Sequence, residues 1–86
     1  MWNILVEKST NTDPSDTEVD SLLDELSNHH TAISYGEKKL TFLLSVNANN
    51  GLSAQVKALD LINEAINKIG VSVIGTIRVK VECSKA

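Results

Sequence analysis

The fold is decided by residues 39–83, which read KLTFLLSVNANNGLSAQVKALDLINEAINKIGVSVIGTIRVKVEC. Apolar and polar residues alternate at both ends of this stretch, and apolar residues recur every three or four positions in its middle. A period of two is typical of a half-buried strand, and a period near 3.6 is typical of an amphipathic helix. The stretch therefore predicts a strand, a helix and a second strand.

The bounds of these three elements follow from their patterns. We expect a strand over 39–48, a helix from Leu52 or Ser53 to Ile69, and a long last strand over 71–83. Gly70 suits the left-handed position that ends many helices, and Gly75 predicts a bulge or bend in the last strand. The predicted apolar stripe of the helix consists of Val56, Leu59, Ile62, Ile66 and Ile69, widened by Ala54, Ala58, Leu61 and Ala65.

The first half of the chain repeats the same kind of pattern. Residues 2–7 alternate as a strand and 8–12 form a polar loop. Asp13 then predicts a helix N-cap, with Pro14 in the first helical position. The helix stripe consists of Val19, Leu22, Leu23 and Leu26. A short strand over 31–35 and a turn over 36–38 form a hairpin with the next strand.

The order of these patterns is β-α-β-β-α-β, which predicts an α+β fold over one domain, residues 1–86. Right-handed crossovers place the first and third strands in the centre of a four-stranded antiparallel sheet, with both helices on one face. This is the ferredoxin-like split β-α-β arrangement. The topology hosts many unrelated functions, so it does not by itself predict one.

Composition narrows the class of protein. Apolar residues make up 42% of the chain and charged residues 22%, which is ordinary for a soluble globular domain. No apolar run reaches the roughly 20 residues of a membrane helix, and the first residues lack the pattern of a signal peptide. The single cysteine excludes an internal disulfide framework. We therefore expect a cytoplasmic protein without a membrane partner.

The net charge of −3 is unevenly distributed along the chain. Residues 1–37 carry eight acids and one lysine, whereas 38–86 carry seven bases and three acids. Asp16, Asp20 and Asp24 recur every four residues on the first predicted helix, and Glu25 follows them. Like charges at this spacing cost a few tenths of a kcal/mol per pair. The acids serve either solubility or the binding of a basic protein partner, and we predict Asp16, Asp20, Asp24 and Glu25 as that binding surface.

The face of the sheet opposite the helices is the second predicted surface. By strand parity it includes Leu5, Thr41, Leu43, Ile74, Arg78 and Lys80. We expect Leu5, Leu43 and Ile74 to form an apolar strip across three strands, ringed by Thr41, Thr76 and Arg78. Exposed apolar patches often mark association sites, so a homodimer is a further expectation. Lys80 and Lys85 would protect the last strand, which is an edge.

Nucleic-acid binding is not the expected use of this sheet. RNA-binding domains of similar topology stack bases on aromatic residues of the central strands, and here only Tyr35 offers an exposed ring. Arg78, Lys80 and Lys39 nevertheless leave weak binding of a nucleic acid or phosphate ligand as the alternative function.

No motif predicts catalysis, a metal or a cofactor. Glu25, His29 and His30 lack a further ligand at a matching spacing, and Cys83 has core parity and no adjacent base. The loops 9–13 and 47–51 are expected at one end of the sheet, beside both helix N-termini, where they would attract an anion.

We therefore expect a small non-enzymatic interaction module, a regulator or an inhibitor, that uses the acidic helix or the open sheet face. A third hypothesis is that the chain is a subunit of an oligomer whose sites are built between chains.

Overall fold

The computed structural model describes residues 1–83 and has an α+β architecture. Its elements, in chain order, are β1 Trp2–Thr10, α1 Asp16–Glu25, a 3₁₀ turn Ser27–His29, β2 Ala32–Gly36, β3 Lys39–Val46, α2 Gly51–Ile69 and β4 Val73–Cys83. The strands form one sheet in the order β2-β3-β1-β4, and all neighbouring pairs are antiparallel. Strands β1 and β3 are central, as predicted.

Both helices and one face of the sheet share a single hydrophobic core. Ile4 and Val6 of β1 meet Phe42 and Leu44 of β3 on that face, since these residues alternate with exposed or half-buried ones. Leu22 from α1 and the α2 residues Ala58 and Ile62 belong to the same cluster. No helix within residues 1–83 is long and apolar enough to span a membrane.

Strand β1 is longer than its sequence pattern suggested. The predicted polar loop over 8–12 is wrong for its first three residues, because Lys8, Ser9 and Thr10 continue the strand. Lys8 and Thr10 have the same parity as Ile4 and Val6, so both are buried on the core face. A lysine at a core position has no counterpart in the predicted pattern.

Two irregularities interrupt the pairing of β4 with β1. The register shifts between Glu7 and Lys8 and again between Ser9 and Thr10, which leaves Ile77 and Ile74 as extra residues of β4. Such bulges reverse the parity of the residues beyond them. The bulge predicted at Gly75 is confirmed, and Thr76 consequently lies opposite Lys8 on the core side instead of the open face.

Helix α1 begins two residues later than predicted. Ser15, not Asp13, is the N-cap: its hydroxyl accepts a hydrogen bond from the Glu18 amide, and the Glu18 carboxylate accepts one from the Ser15 amide. Asp13 instead accepts a hydrogen bond of 2.7 Å from the backbone N–H of Lys38. Asp13 and Ser15 both have side chains that can cap a helix, but only Ser15 directly precedes the first helical residue, so the prediction at Asp13 is wrong.

Helix α2 is capped by Asn50 and ends at Gly70, whose φ of 87° confirms the left-handed end. Its predicted buried stripe is wrong at Val56, which is 53% exposed. The buried residues are Ala54, Ala58, Ile62, Ala65 and Ile66. The small alanines allow α2 to pack closely in the core, and Val56 lies on the opposite side of the helix from Ala54 and Ala58.

Candidate functional site

Three carboxylates form an exposed stripe along α1, and we call them the acidic flank: Asp16, Asp20 and Asp24. All three are exposed, and no lysine or arginine within residues 1–83 lies within 4.0 Å of them. Their spacing of four residues corresponds to about 6 Å per step along a helix. The acidic flank is therefore a continuous, uncompensated line of negative charge.

Tyr35 connects the acidic flank to the edge strand β2. Its hydroxyl donates a short hydrogen bond to Asp16 Oδ1. This bond, together with the charges of Asp16 and Asp20, raises the pKa of the phenol above its ordinary value. Tyr35 pairs with Leu40, whose side chain is buried on the helix side of the sheet. The ring of Tyr35 therefore lies on the helix side and is not available for base stacking on the open face.

Glu25 differs from the other three acids of the predicted surface. Its carboxylate lies 3.0 Å from the ammonium of Lys68, which belongs to α2. Residues 9–37 contain no lysine or arginine, and the lysine that compensates Glu25 is 43 positions away in the chain. The structure thus separates Glu25 from the acidic flank.

Strand β2 is the edge of the sheet on the acidic side. An edge strand offers backbone N–H and C=O groups to an added strand. Ala32, Ser34, Tyr35 and Gly36 are exposed along it. The strand continues into a turn at Glu37 and Lys38, where Asp13 holds the Lys38 amide. The acidic flank and a regular, exposed strand edge therefore lie side by side.

The open face of the sheet has its apolar residues in one row across the strands. Leu5 lies opposite Leu43 on one side and Lys80 on the other, and Ala32 lies beyond Leu43. Leu43 is 46% exposed. A shallow depression of about 150 Å³ covers this row and is lined by Asn3, Leu5, Leu43, Lys80 and Glu82.

Polar rows flank the apolar row on both sides. On one side Thr41, Glu7 and Arg78 lie opposite one another. On the other side Ser45 donates a hydrogen bond of 2.8 Å to Asn3, and Glu82 lies opposite Asn3. Glu82 also forms an ion pair of 3.1 Å with Lys80. Asn3, Glu7 and Glu82 also belong to the surface; their strand parity places them on the open face, although they were not among the predicted binding residues.

Ile74 does not join Leu5 and Leu43. It lies in the bulge between the partners of Ser9 and Thr10, about five residues further along β1, and is 65% exposed. Thr76 is also absent from the ring, since it lies opposite Lys8. Lys85, which was expected to protect the β4 edge together with Lys80, lies outside the described residues.

Two of the three basic residues of the open face, Arg78 and Lys80, lie beside an acid. Arg78 is opposite Glu7, and Lys80 is ion-paired with Glu82. Only Lys39, opposite Ser9, lacks an acidic neighbour in this register. The geometry therefore gives a mixed surface and not the positive patch that a phosphate backbone requires.

The predicted anion site at the helix N-termini is wrong. Trp2 pairs with Val46 and Ser9 pairs with Lys39, so the loops 9–13 and 47–51 lie at opposite ends of the sheet. The antiparallel register of β1 and β3 requires this separation. The two loops cannot form a shared site within one chain.

The remaining candidate metal ligands and nucleophiles do not form a cluster in the described part of the chain. In the described chain no three His, Cys, Asp or Glu side chains gather as a metal site. His29 is half-buried and His30 exposed, and the latter has a left-handed φ of 51° just after the 3₁₀ turn. Cys83, which was predicted at the end of the core face, is exposed at the end of β4.

Comparison with known proteins found no matching protein-family model, no matching curated protein and no matching solved structure.

Proposed function

We propose that this chain is a small protein-interaction module, a regulator or inhibitor without catalysis of its own, that binds a basic partner segment along the acidic flank and the β2 edge. The observation that carries the proposal is the position of Asp20 and Asp24, exposed and without a basic neighbour in the described chain, beside an exposed strand edge. Two kinds of recognition are thereby available together: backbone pairing at β2 and charge pairing at α1.

The spacing of the acids supports an extended partner. Carboxylates about 6 Å apart on a helix match side chains at alternate positions of a strand, which recur about every 6.7 Å. A segment with Lys or Arg at every second position would pair with β2 through its backbone and with the acidic flank through one side of its side chains. Strand addition of this kind takes affinity from the backbone and specificity from alternate side chains.

The fold class and location form part of the same proposal. The strand order β2-β3-β1-β4, with one helix in each β-α-β crossover, supports a ferredoxin-like domain. The single cysteine supports a reducing compartment such as the cytoplasm.

The test uses a defined probe, a fluorescent peptide of alternating Lys and Val, titrated with the full chain at several salt concentrations. The double variant Asp20→Lys/Asp24→Lys is compared with Asp60→Lys/Glu64→Lys, which makes the same charge change at exposed positions of α2. We expect the flank variant to weaken binding at least tenfold, with backbone amide shifts at residues 32–36 in the unmodified protein.

Equal weakening by both double variants would mean that only net charge matters, and would overturn the site. Peptide binding without amide shifts along β2 would overturn strand addition. Tighter binding of a single-stranded oligonucleotide than of the peptide would favour the nucleic-acid alternative instead.

A further inference from the structure

The open face carries a charge pattern that changes sign along one strand. On β4, Arg78 and Glu82 stand on either side of Lys80. Lys80 is aligned with the apolar row of Leu5 and Leu43, so Arg78 and Glu82 each lie about 6.7 Å from that row, on opposite sides. The apolar row is thus a line of symmetry between one basic and one acidic position.

A two-fold axis along the apolar row, with a second copy placed face to face, makes this pattern self-complementary. Rotation about that axis keeps each strand above its own copy and exchanges the two flanking rows. Arg78 then faces Glu82 of the second copy, and its own Glu82 faces the other Arg78. At the centre, Leu5 and Leu43 each lie opposite the same residue of the second copy. Contact between identical surfaces is the arrangement of an isologous interface.

The same operation also matches the uncharged groups. Glu7 faces Asn3 of the second copy, whose amide can donate a hydrogen bond to the carboxylate, and Thr41 faces Ser45. Lys80 faces its own copy, but each of the two ammonium groups already has Glu82 of its own chain at 3.1 Å. Because β4 is an edge strand, the long Lys80 side chains have access to water at the rim.

The alternative axis, parallel to the strands, does not pair the charges. It places β4 over β2 of the second copy, so Arg78 faces Ser34 and Lys80 faces Ala32. Both bases would then lose water without gaining an acidic partner, which is unfavourable. The charge pattern therefore selects the axis along the apolar row.

We propose that two copies of this chain form a face-to-face homodimer through their open sheet faces, with Leu5 and Leu43 at the centre and two Arg78–Glu82 pairs at the rim. Four strands spaced by about 4.8 Å and paired over about eight residues give a face of roughly 500 Å². Two such faces bury about 1,000 Å², near the lower limit of specific interfaces, so the dimer is expected to dissociate readily on dilution.

The dimer goes beyond the proposed function and does not depend on it. The acidic flank lies on the helix side of each sheet, so it stays outside the interface. The Asp20→Lys/Asp24→Lys variant should therefore keep the monomer–dimer equilibrium while losing the basic peptide, and the two proposals can fail separately.

The test is sedimentation equilibrium of the full chain over a wide concentration range, with a charge exchange at the rim. Arg78→Glu and Glu82→Arg each create like charges across the axis, so each should weaken dimerisation at least tenfold. The double variant R78E/E82R restores opposite charges and should return the dissociation constant to within a few-fold of the original. Lys57→Glu, on α2, is the matched control for R78E.

A second measurement keeps the proposal testable if a variant folds poorly. Dilution of the unmodified protein should move the amide signals of Leu5, Leu43, Arg78 and Glu82, and leave those of α1 unchanged. A monomer at the highest concentration reached would overturn the proposal. So would a dimer in which the double variant is no tighter than the single ones, or in which dilution shifts lie on the helices.

Discussion

The ammonium of Lys8 donates a hydrogen bond of 2.9 Å to the hydroxyl of Thr76 across the β1–β4 pair. Lys8 is only 5% exposed, and no carboxylate in the described chain lies within 4.0 Å of it. Burial lowers the pKa of this amine below its ordinary value of 10.5. The hydrogen-bond partner of this largely buried lysine is thus a neutral hydroxyl and not a carboxylate.

Lys8→Met should stabilise the protein at neutral pH. Methionine keeps the length of the side chain and removes the cost of burying an ammonium without an anionic partner. We expect the free energy of unfolding to increase by about 1 kcal/mol in urea denaturation. The control Lys57→Met, at an exposed position, should change it by less than about 0.5 kcal/mol. A loss of stability in K8M would contradict this account of Lys8.

The alkaline pH dependence of stability should have two opposing parts. The pKa of Lys8 is lower in the folded protein than its ordinary value of 10.5, which we take for the unfolded chain. At pH values between the folded and the unfolded pKa, the unfolded chain therefore binds more protons than the folded protein. Unfolding free energy therefore rises with pH up to about 10.5. Tyr35 has a raised folded pKa, so its contribution is present below 10.0 and is lost as pH rises through that higher value. K8M should lack the rise, and Tyr35→Phe should lack the fall, in denaturation curves measured at successive pH values.

The phenol of Tyr35 can be titrated directly, because it is the only tyrosine of the chain. Ultraviolet absorbance should give a pKa above the ordinary tyrosine value. Asp16→Asn removes a charged hydrogen-bond acceptor and should bring the pKa down, and Asp20→Asn should have a smaller effect in the same direction. Asp60→Asn, on α2, should leave the titration unchanged. An ordinary pKa in the unmodified protein would contradict the contact between β2 and α1.

The N-cap of α1 can be distinguished from its predicted position by hydrogen exchange. Ser15→Ala should cost about 1 kcal/mol and speed exchange of the Glu18 amide, since the capping hydroxyl is lost. Asp13→Ala should instead speed exchange of the Lys38 amide. Faster exchange of the Asp16 amide in Asp13→Ala, with the Lys38 amide unchanged, would restore Asp13 as the cap.

The hairpin turn offers a stabilising substitution. Glu37 and Lys38 have φ values of 50° and 59°, a left-handed conformation that glycine adopts without strain. Lys38→Gly should raise the free energy of unfolding by about 1 kcal/mol. Lys39→Gly, one residue later in the extended strand β3, should lower it. Thermal denaturation of both variants gives the comparison.

Alternation and helical periodicity predicted the α+β class, the antiparallel sheet and its central strands. These patterns correctly predicted that Ile4, Val6, Phe42 and Leu44 are buried, because each residue is large and apolar and only one face of the sheet is buried. They failed at Lys8, where the polarity of the residue suggested a loop and pairing with β3 and β4 extended the strand.

The candidate surfaces were predicted only in part, because local sequence patterns contain neither the register of the strands nor contacts between distant residues. Leu5 and Leu43 meet as expected because β1 and β3 pair without interruption. Ile74 and Thr76 are misplaced because two bulges in β4 change its parity, and a lone Gly75 does not say how many residues are inserted. The Glu25–Lys68 pair joins distant parts of the chain, which no local pattern contains.

The bulges at Ile74 and Ile77 give the two edges of the sheet different properties. A filament grows when the β2 edge of one molecule docks on the β4 edge of the next, and this requires a regular hydrogen-bonding ladder at both edges. The bulges bend and twist β4 over the half that contains Gly75. We therefore expect the irregular half of β4 to disfavour end-to-end polymerisation, which would leave the β2 edge accessible without fibre formation.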